Sequence, residues 1–495
     1  MREPSVKKQT EVPLPSLWEA LLPVGFLVML LVLSVKLYSS DSSYGPNQIA
    51  LILSAGVACL LGMRNGLSWK DLENAMVHGI SLSMGALFIL LVVGSLIGTW
   101  ILAGIVPTMI YYGLQIMHPS FFYVASCLIC ALVALGTGSS WTTASTIGIA
   151  LIGIATALDL NLGMTAGSII SGAYFGDKLS PLSDTTNLAP AMAGTDLFTH
   201  IRHMLWTTVP SLIIACTLFL ILGFTSKSGS EIDLSSYLEL LRNHFNVSPV
   251  MLVPPLIVLG MVMKKVPAFP ALLIGALVGG VFAILFQQGT VLAFVGDESL
   301  SKPMAMLKGC WTAMFGGFSI TTENAEFNKL LSRGGMTSML NTVWLIISAM
   351  MFGAVMERTR SLEVIAGKIL GLARSTGTLV SATLATSIGM NIVASDQYIA
   401  IVIPGRMFRA EFENRQLAPQ NLSRCLEDSG TLTSPLIPWN TCGAYMATTL
   451  GVATGTYWMY CFFNILSPFI SAFYGFTGFT IVKTEKPAVE EREAA

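Results

Sequence analysis

Gly176-Asp-Lys-Leu-Ser-Pro-Leu-Ser-Asp-Thr-Thr-Asn187 and Glu427-Asp-Ser-Gly-Thr-Leu-Thr-Ser-Pro-Leu-Ile-Pro-Trp-Asn440 are two versions of one phrase. Each couples acids and hydroxyls to Ser-Pro-Leu and ends on asparagine. Both lie within long apolar runs, where Gly, Pro and charge are costly. Paired interruptions of this kind predict two broken transmembrane helices, the arrangement that builds an ion site near the bilayer midplane of a secondary transporter. Proline removes an amide donor and frees carbonyls one turn back, while Ser180, Thr185, Thr186, Thr433 and Ser434 add hydroxyl oxygens. All-oxygen surroundings suit a hard alkali cation.

The rest of the chain supports a membrane setting. It is 53% hydrophobic and 11% charged, with a mean hydropathy of +0.69, beyond what a soluble domain of 495 residues shows. The expected fold class is an all-α polytopic membrane protein with the lipid bilayer as its partner. No polar stretch is long enough for a soluble domain, and nothing supports nucleic acid binding. The first apolar run, near 17 to 37, is too long for a signal peptide and lacks a small-residue cleavage site, so it is expected to remain as an anchor. The eight cysteines are scattered, mostly in apolar runs, and read as small buried residues.

Outward from the breaks, spans are expected near 17 to 38, 47 to 63 and 81 to 103, with an amphipathic piece from 68 to 78 and a loop from 104 to 119. Two apolar segments, 120 to 136 and 141 to 158, hinge at Gly136-Thr-Gly-Ser-Ser-Trp-Thr-Thr143, followed by the first break and a span near 203 to 224. The order then returns. Spans near 249 to 263, 267 to 287 and 337 to 357 precede segments 376 to 393 and 398 to 408, hinged at Asn391-Ile-Val-Ala-Ser-Asp-Gln397. The second break and a last span near 450 to 473 complete the series. An offset of about 255 residues carries Ser140 onto Ser395 and Ser180-Pro-Leu onto Ser434-Pro-Leu. The chain therefore reads as two repeats, 1–246 and 247–495, each with about five transmembrane helices, one of them broken, and a helical hairpin. Ten crossings and two re-entrant hairpins are expected. The glycine pairs Gly94/Gly98 and Gly275/Gly279 read as close helix packing.

Basic residues set the expected orientation. Arg2, Lys7 and Lys8 at the amino end, with Arg64 and Lys70, contrast with a 104 to 119 segment that has none, so the amino terminus is expected in the cytoplasm. An odd number of crossings per half then brings Lys264, Lys265, Arg358, Arg360, Lys368, Arg374, the Arg406 to Arg424 cluster, Lys483 and Lys486 to the same side. Both termini are cytoplasmic in this scheme, and the repeats are inverted. The segment 287 to 335 falls outside despite Lys302, Lys308, Lys329 and Arg333, and its length weakens the rule there.

An ionised Asp at the bilayer centre costs roughly 2.5 to 3.5 kcal/mol, so Asp177, Lys178, Asp184, Asp396, Glu427 and Asp428 each need a partner or a task. Desolvation favours the protonated form of such a carboxylate and a nearby cation the ionised form, so proton and sodium can compete for one site. Asp184 is the first choice for that carboxylate, with Asp177, Glu427 and Asp428 as a second site or a gate. Sodium is placed at Asp184 with Ser180 and Ser434, and Asn187 and Asn440 extend the ion-binding set. The hairpin tips would add Ser139, Ser140, Thr142, Asn391, Ser395 and Asp396. Structural roles compete: an ion pair of Asp177 with Lys178, and helix caps at Asp184, Asp396 and Asp428. Trp141 and Trp439 read as packing residues, and His200 and His203 as solvated ones.

Ser171-Gly-Ala-Tyr-Phe-Gly-Asp-Lys-Leu-Ser-Pro-Leu-Ser-Asp-Thr-Thr-Asn-Leu-Ala189, Gly136-Thr-Gly-Ser-Ser-Trp141, Leu331-Ser-Arg-Gly-Gly-Met336 and Glu427-Asp-Ser-Gly-Thr-Leu-Thr-Ser-Pro-Leu-Ile-Pro-Trp-Asn-Thr441 together resemble the NhaC-type sodium/proton antiporter family. The resemblance spans most of the chain. It implies a bacterial inner-membrane exchanger that drives sodium out against entering protons, with no cofactor beyond these substrate ions. Family members that exchange malate with protons against lactate with sodium keep a small organic acid open as cargo. For such an anion Lys178 is the basic residue within a break, and Asn187, Asn391 and Asn440 could assist. A homodimer through the first spans of each half is a further expectation. An intramembrane aspartyl protease built on Asp177 and Asp428 lacks the glycine that would stand at Tyr174, and no hydrolase or metalloprotease motif occurs. A channel would also use broken helices, but one acid-bearing break per half suits alternating access better.

Overall fold

In the computed structural model the described residues are 13–38, 42, 44–225 and 234–484. Arg2, Lys7, Lys8 and Lys486, on which the orientation partly leans, lie outside them. The described residues form helices throughout: α1 (Leu17–Tyr38), α2 (Pro46–Arg64), α3 (Trp69–Leu102), α4 (Ile105–Ile116), α5 (Phe122–Thr137), α6 (Ser140–Ala157), α7 (Leu162–Leu179), α8 (Asp184–Ala193) and α9 (Leu197–Thr225). After these come α10 (Val253–Met263), α11 (Ala268–Phe286), α12 (Lys302–Gly316), α13 (Leu340–Arg358), α14 (Thr376–Val393), α15 (Gln397–Asn414), α16 (Pro419–Leu426), α17 (Thr441–Leu450) and α18 (Phe462–Thr477). Further helical pieces, among them Leu234–His244 and Ser361–Leu370, connect them. Among the described residues nine helices are long and apolar enough to cross a membrane, or up to eleven if each of two bent pairs counts as one span. Both arms of the first hairpin and the first arm of the second meet that test.

Two sequence expectations fail here. The amphipathic piece at 68 to 78 is continuous with the following span, because Ser68 caps a single 34-residue α3 by accepting from the Asp71 amide. The 104 to 119 segment is helical as α4, and its Ile105, Val106 and Ile110 are buried. Its lack of Lys and Arg is the contrast that set the expected orientation of the amino terminus. It lacks them because it is packed inside.

The framework is built on α3, which packs against α11, α12 and α13, while α2 joins α1 to α13. Small residues make this possible. A Cβ on Gly94 would meet the carbonyl of Gly335 and one on Gly98 that of Ala313, while Trp100 fills the space beside Gly275 and Gly279 and donates to the Gly275 carbonyl at 3.1 Å. The second body of the protein holds the hairpins α5/α6 and α14/α15 and the broken pairs α7/α8 and α16/α17. Helix α7 lies along α5, with Gly172 against the Cys127 carbonyl and Gly176 against that of Ala131.

The half-helices beyond each break are exchanged. Helix α8 packs against α15 and α16 of the other half, with Met192 beside Gly405. Reciprocally, α17 packs against α6: Tyr445 stacks on Trp141 with ring centroids 3.9 Å apart, and Leu450 meets Gly148. Helices α9 and α18 meet between the halves, where Ser467 donates to Ser211 at 3.0 Å.

Candidate functional site: a cavity between hairpin tips and broken helices

The first break begins where Ser180, extended before Pro181, can no longer continue α7. Helix α8 restarts under a cap from Ser183, so Asp184 is the first residue of α8 and not its cap. The carbonyls freed by the break are taken locally. Thr186 Oγ1 donates to the carbonyls of Asp177 and Lys178 at 3.1 and 3.0 Å, and Asn187 Nδ2 donates to those of Pro181 and Ser183 at 3.0 and 2.7 Å. The tip of the first hairpin reaches this point. Gly138 turns with a positive φ against Leu182 and Ser183, and the Ser140 amide and hydroxyl donate to Asp177 Oδ2 at 3.0 and 2.6 Å. Thr142 follows as part of a turn capped by Ser139.

The second break is deeper. Helix α16 runs into a π-helical turn, Glu427–Thr431, in which all five residues are buried. Wide turns of this kind are frequent at functional sites. Asn391 Nδ2 donates to the Gly430 carbonyl at 2.7 Å and to Thr433 Oγ1 at 3.0 Å, and Asn391 Oδ1 accepts from Asn440 Nδ2 at 3.1 Å. Ser434 closes onto the Thr431 carbonyl at 2.7 Å, and the Thr441 amide donates to the Ser395 carbonyl at 3.0 Å, joining break to hairpin tip. Asp396 caps α15 by accepting the Tyr398 and Ile399 amides, the role that competed with an ion-binding one.

Lys178 and Asp428 form an ion pair across the two breaks, with both side chains fully buried. Thr207 of α9 also donates to Asp428 Oδ1, at 3.1 Å. The alternative pairing of Asp177 with Lys178 is not formed. Asp428 sits inside the π turn and caps no helix. Glu427 is equally buried: its Oε1 accepts from Thr185 Oγ1 at 3.0 Å, and its Oε2 has no hydrogen-bond partner among the described residues.

One cavity of about 950 Å³ gathers these elements. It is lined by Ser139, Ser140, Thr142, Asp177, Asp184, Thr185 and Asn187 from the first hairpin and break. Asp396, Tyr398 and Thr441 line it from the second half, and Lys265 and Phe269 from the framework. Asp184 is exposed in it. The remaining sequence candidates stand behind its wall: Ser180, Thr186, Lys178, Asn391, Ser395, Glu427, Asp428, Thr433, Ser434 and Asn440 are buried and do not line it. Among the described residues no group of three or more His, Cys, Asp or Glu is placed to hold a metal ion.

Sequence reasoning missed several buried polar residues near the site. His200 and His203, expected to be solvated, are buried where α9 packs on α16, and His200 Nδ1 is 2.7 Å from Ser423 Oγ. They face inward because α9 begins at Leu197, so the histidines fall within the helix and not in a connection. Arg424, counted with the cytoplasmic basic cluster, is fully buried, donates to Thr480 Oγ1 at 2.8 Å and lies over the Tyr474 ring. Its position four residues before Asp428 on an interrupted helix was the available signal.

The sequence model of the Na+/H+ antiporter family matches residues 172–479, the stretch that carries both breaks. The chain belongs to this family. It is 38% identical over 94% of its length to the Na(+)/H(+) antiporter NhaC of Alkalihalophilus pseudofirmus, covering 98% of that protein. It is 38% identical over 97% of its length to the malate-2H(+)/Na(+)-lactate antiporter of Bacillus subtilis, again covering 98%. A third relative, the arginine/ornithine antiporter ArcD of Halobacterium salinarum, is 34% identical over 97% of this chain and 96% of that protein. The NhaC resemblance of the motifs is thus established. With its many apolar helices, this is a multi-pass membrane antiporter, a transporter and not an enzyme.

Proposed function

We propose that this antiporter exchanges cytoplasmic sodium for external protons, with cargo bound in the cavity between the hairpin tips and the broken helices. The observation that carries this reading is the lining itself: Asp177, Asp184 and Asp396 open into one space edged by hydroxyls, against the single ammonium of Lys265 among its lining residues. Such a surface favours a hard cation over an anion. Lys178, the candidate contact for an organic acid, is held by Asp428, and Asn391 and Asn440 are committed to the second break.

In this reading Asp184 is the principal sodium ligand and Asp177 the second, already oriented by Ser140. A proton entering from the far side releases the ion by restoring charge balance at the site. The exchanged half-helices support an inverted relation between 1–246 and 247–495, since each break would be completed by the opposite half. Motion of the hairpin and broken-helix body against the α3 framework would then present the cavity to each face in turn. A bacterial inner membrane with both termini cytoplasmic, and a homodimer through the framework, belong to the same proposal.

A second reading has its own support. A cavity of about 950 Å³ is far larger than a sodium ion requires and lies within the range of small-molecule sites. A small organic acid could enter with protons or sodium as its counter-charge, as the name of the Bacillus relative pairs malate with protons and lactate with sodium for that protein. Proteoliposomes with an imposed proton gradient separate the two. Collapse of the gradient by sodium alone supports sodium/proton exchange, and collapse only when malate or lactate is also present assigns an organic acid as cargo.

A further inference from the structure

Glu427 sits behind the cavity wall, fully buried, with one carboxyl oxygen on Thr185 Oγ1 and the other unpartnered among the described residues. The charged and titratable groups facing it are Lys178 and Asp177 of α7 and Asp428 of its own turn. Lys178 is already neutralised by Asp428, and Asp177 brings no positive charge. A carboxylate here would therefore be a buried charge without a counter-ion, so the neutral acid is the stable form while the cavity is empty. Thr185 also lines the cavity, and its Oγ1 lies 3.2 Å from Ser183 Oγ, a second lining hydroxyl. A line of hydroxyls thus joins the buried acid to the place where a cation would sit.

We propose that Glu427 is the proton-carrying residue of the exchange, separate from the sodium ligands and connected to the cavity through Thr185 and Ser183. This deepens the proposed function and rests on it. Sodium entering the cavity stabilises a negative charge one hydroxyl away. For transfer the Thr185 hydroxyl turns from Glu427 to Ser183 and the acid's proton takes the oxygen facing Thr185; that proton then passes to Thr185 Oγ1 as Thr185 passes its own to Ser183, and Ser183 releases one to cavity water. The electron pair stays on the Glu427 carboxylate, which balances the bound sodium, so one charge enters as one leaves. Thr185 is a positioning residue: it keeps the path continuous and is unchanged after each transfer.

The test uses the full chain in detergent, adding sodium chloride to weakly buffered protein with a pH indicator while 22Na+ binding is measured at equilibrium. Wild type should release protons on binding. Glu427→Gln should still bind 22Na+ but release less than a tenth as many protons. Thr185→Val should release the wild-type number at least tenfold more slowly by stopped flow, and Thr185→Ser should restore the rate. Undiminished release from Glu427→Gln overturns the proposal. Loss of 22Na+ binding in a folded Glu427→Gln protein also overturns it, because Glu427 would then be a sodium ligand. A wild-type release rate in Thr185→Val removes the hydroxyl path. If wild type itself neither releases protons nor collapses a proton gradient with sodium, the antiport reading fails first.

Discussion

The two breaks share a vocabulary and live in different surroundings. In the first, Pro181, Asp184 and Asn187 are exposed to the cavity, and the freed carbonyls are satisfied from within the same short stretch. In the second, every residue from Glu427 to Pro435 is buried, and the carbonyls are covered from far along the chain: Asn391 reaches Gly430, Asn464 reaches Leu432 at 2.9 Å, and Tyr457 reaches Pro435 at 2.7 Å. Irregular backbone at membrane depth has two solutions, water or protein, and this molecule uses one at each break. The wet break can exchange ions, and the dry one can hold charge in reserve.

The Lys178–Asp428 pair ties the two regions together, and breaking it should have the largest effect. Lys178→Met leaves Asp428 buried without a counter-ion and should cost about 3 to 5 kcal/mol. Adding Asp428→Leu should recover most of that loss in thermal melts. Recovery of stability without recovery of exchange would show that the pair serves transport and not folding.

Asp184→Asn sharpens the contrast from the wet side. Exchange in proteoliposomes should fall at least a hundredfold, worth about 2.7 kcal/mol. The melting temperature should hardly move, because an exposed side chain contributes within about 0.5 kcal/mol. Retained exchange would pass the role to Asp177.

The asparagines compare the breaks directly. Asn391→Leu strips the donor from the Gly430 carbonyl and should cost about 1 to 3 kcal/mol, whereas Asn187→Leu, with water available, should cost under about 0.5 kcal/mol. Equal losses would mean that the two environments differ less than their burial suggests.

The smallest effect belongs to a loop outside both regions. The hydroxyl of Ser299 and then the ammonium of Lys308 hold the Asp297 carboxyl down at about 2. Its folded value lies below the unfolded value of about 3.9, so its contribution is complete above that pH and disappears as pH falls through about 2. Asp297→Asn should flatten the local hydrogen-exchange response of residues 296–301 across that window and leave transport at pH 7 unchanged.

The breaks, the hairpin tips and most spans were legible because Gly, Pro and charge stand out against apolar sequence. What was hidden depends on who faces whom. Asp177 turned to Ser140 and Lys178 to Asp428, and no local pattern chooses between neighbours so far apart in the chain. The pattern also misread α4, where absence of Lys and Arg meant burial and not a loop on the far side of the membrane, and His200, His203 and Arg424, whose polarity suggested solvent. The competition at Asp396 was correctly posed, because a serine-aspartate pair after a hinge is a strong capping signal. At Asp184 the adjacent Ser183 took the cap instead.

The exchange of α8 and α17 between the halves also bears on how the protein is made. When α8 leaves the ribosome, its neighbours α15 and α16 do not yet exist, so the acids of the first break must wait in the translocon or lipid with a partial coat. The Trp141–Tyr445 stack and the Lys178–Asp428 pair can form only near the end of synthesis. Assembly of the site therefore coincides with completion of the chain, and a truncated product would carry two carboxylates, Asp177 and Asp184, and an uncompensated Lys178 into the membrane. Such a product, with its charges uncovered, would be an evident target for quality control.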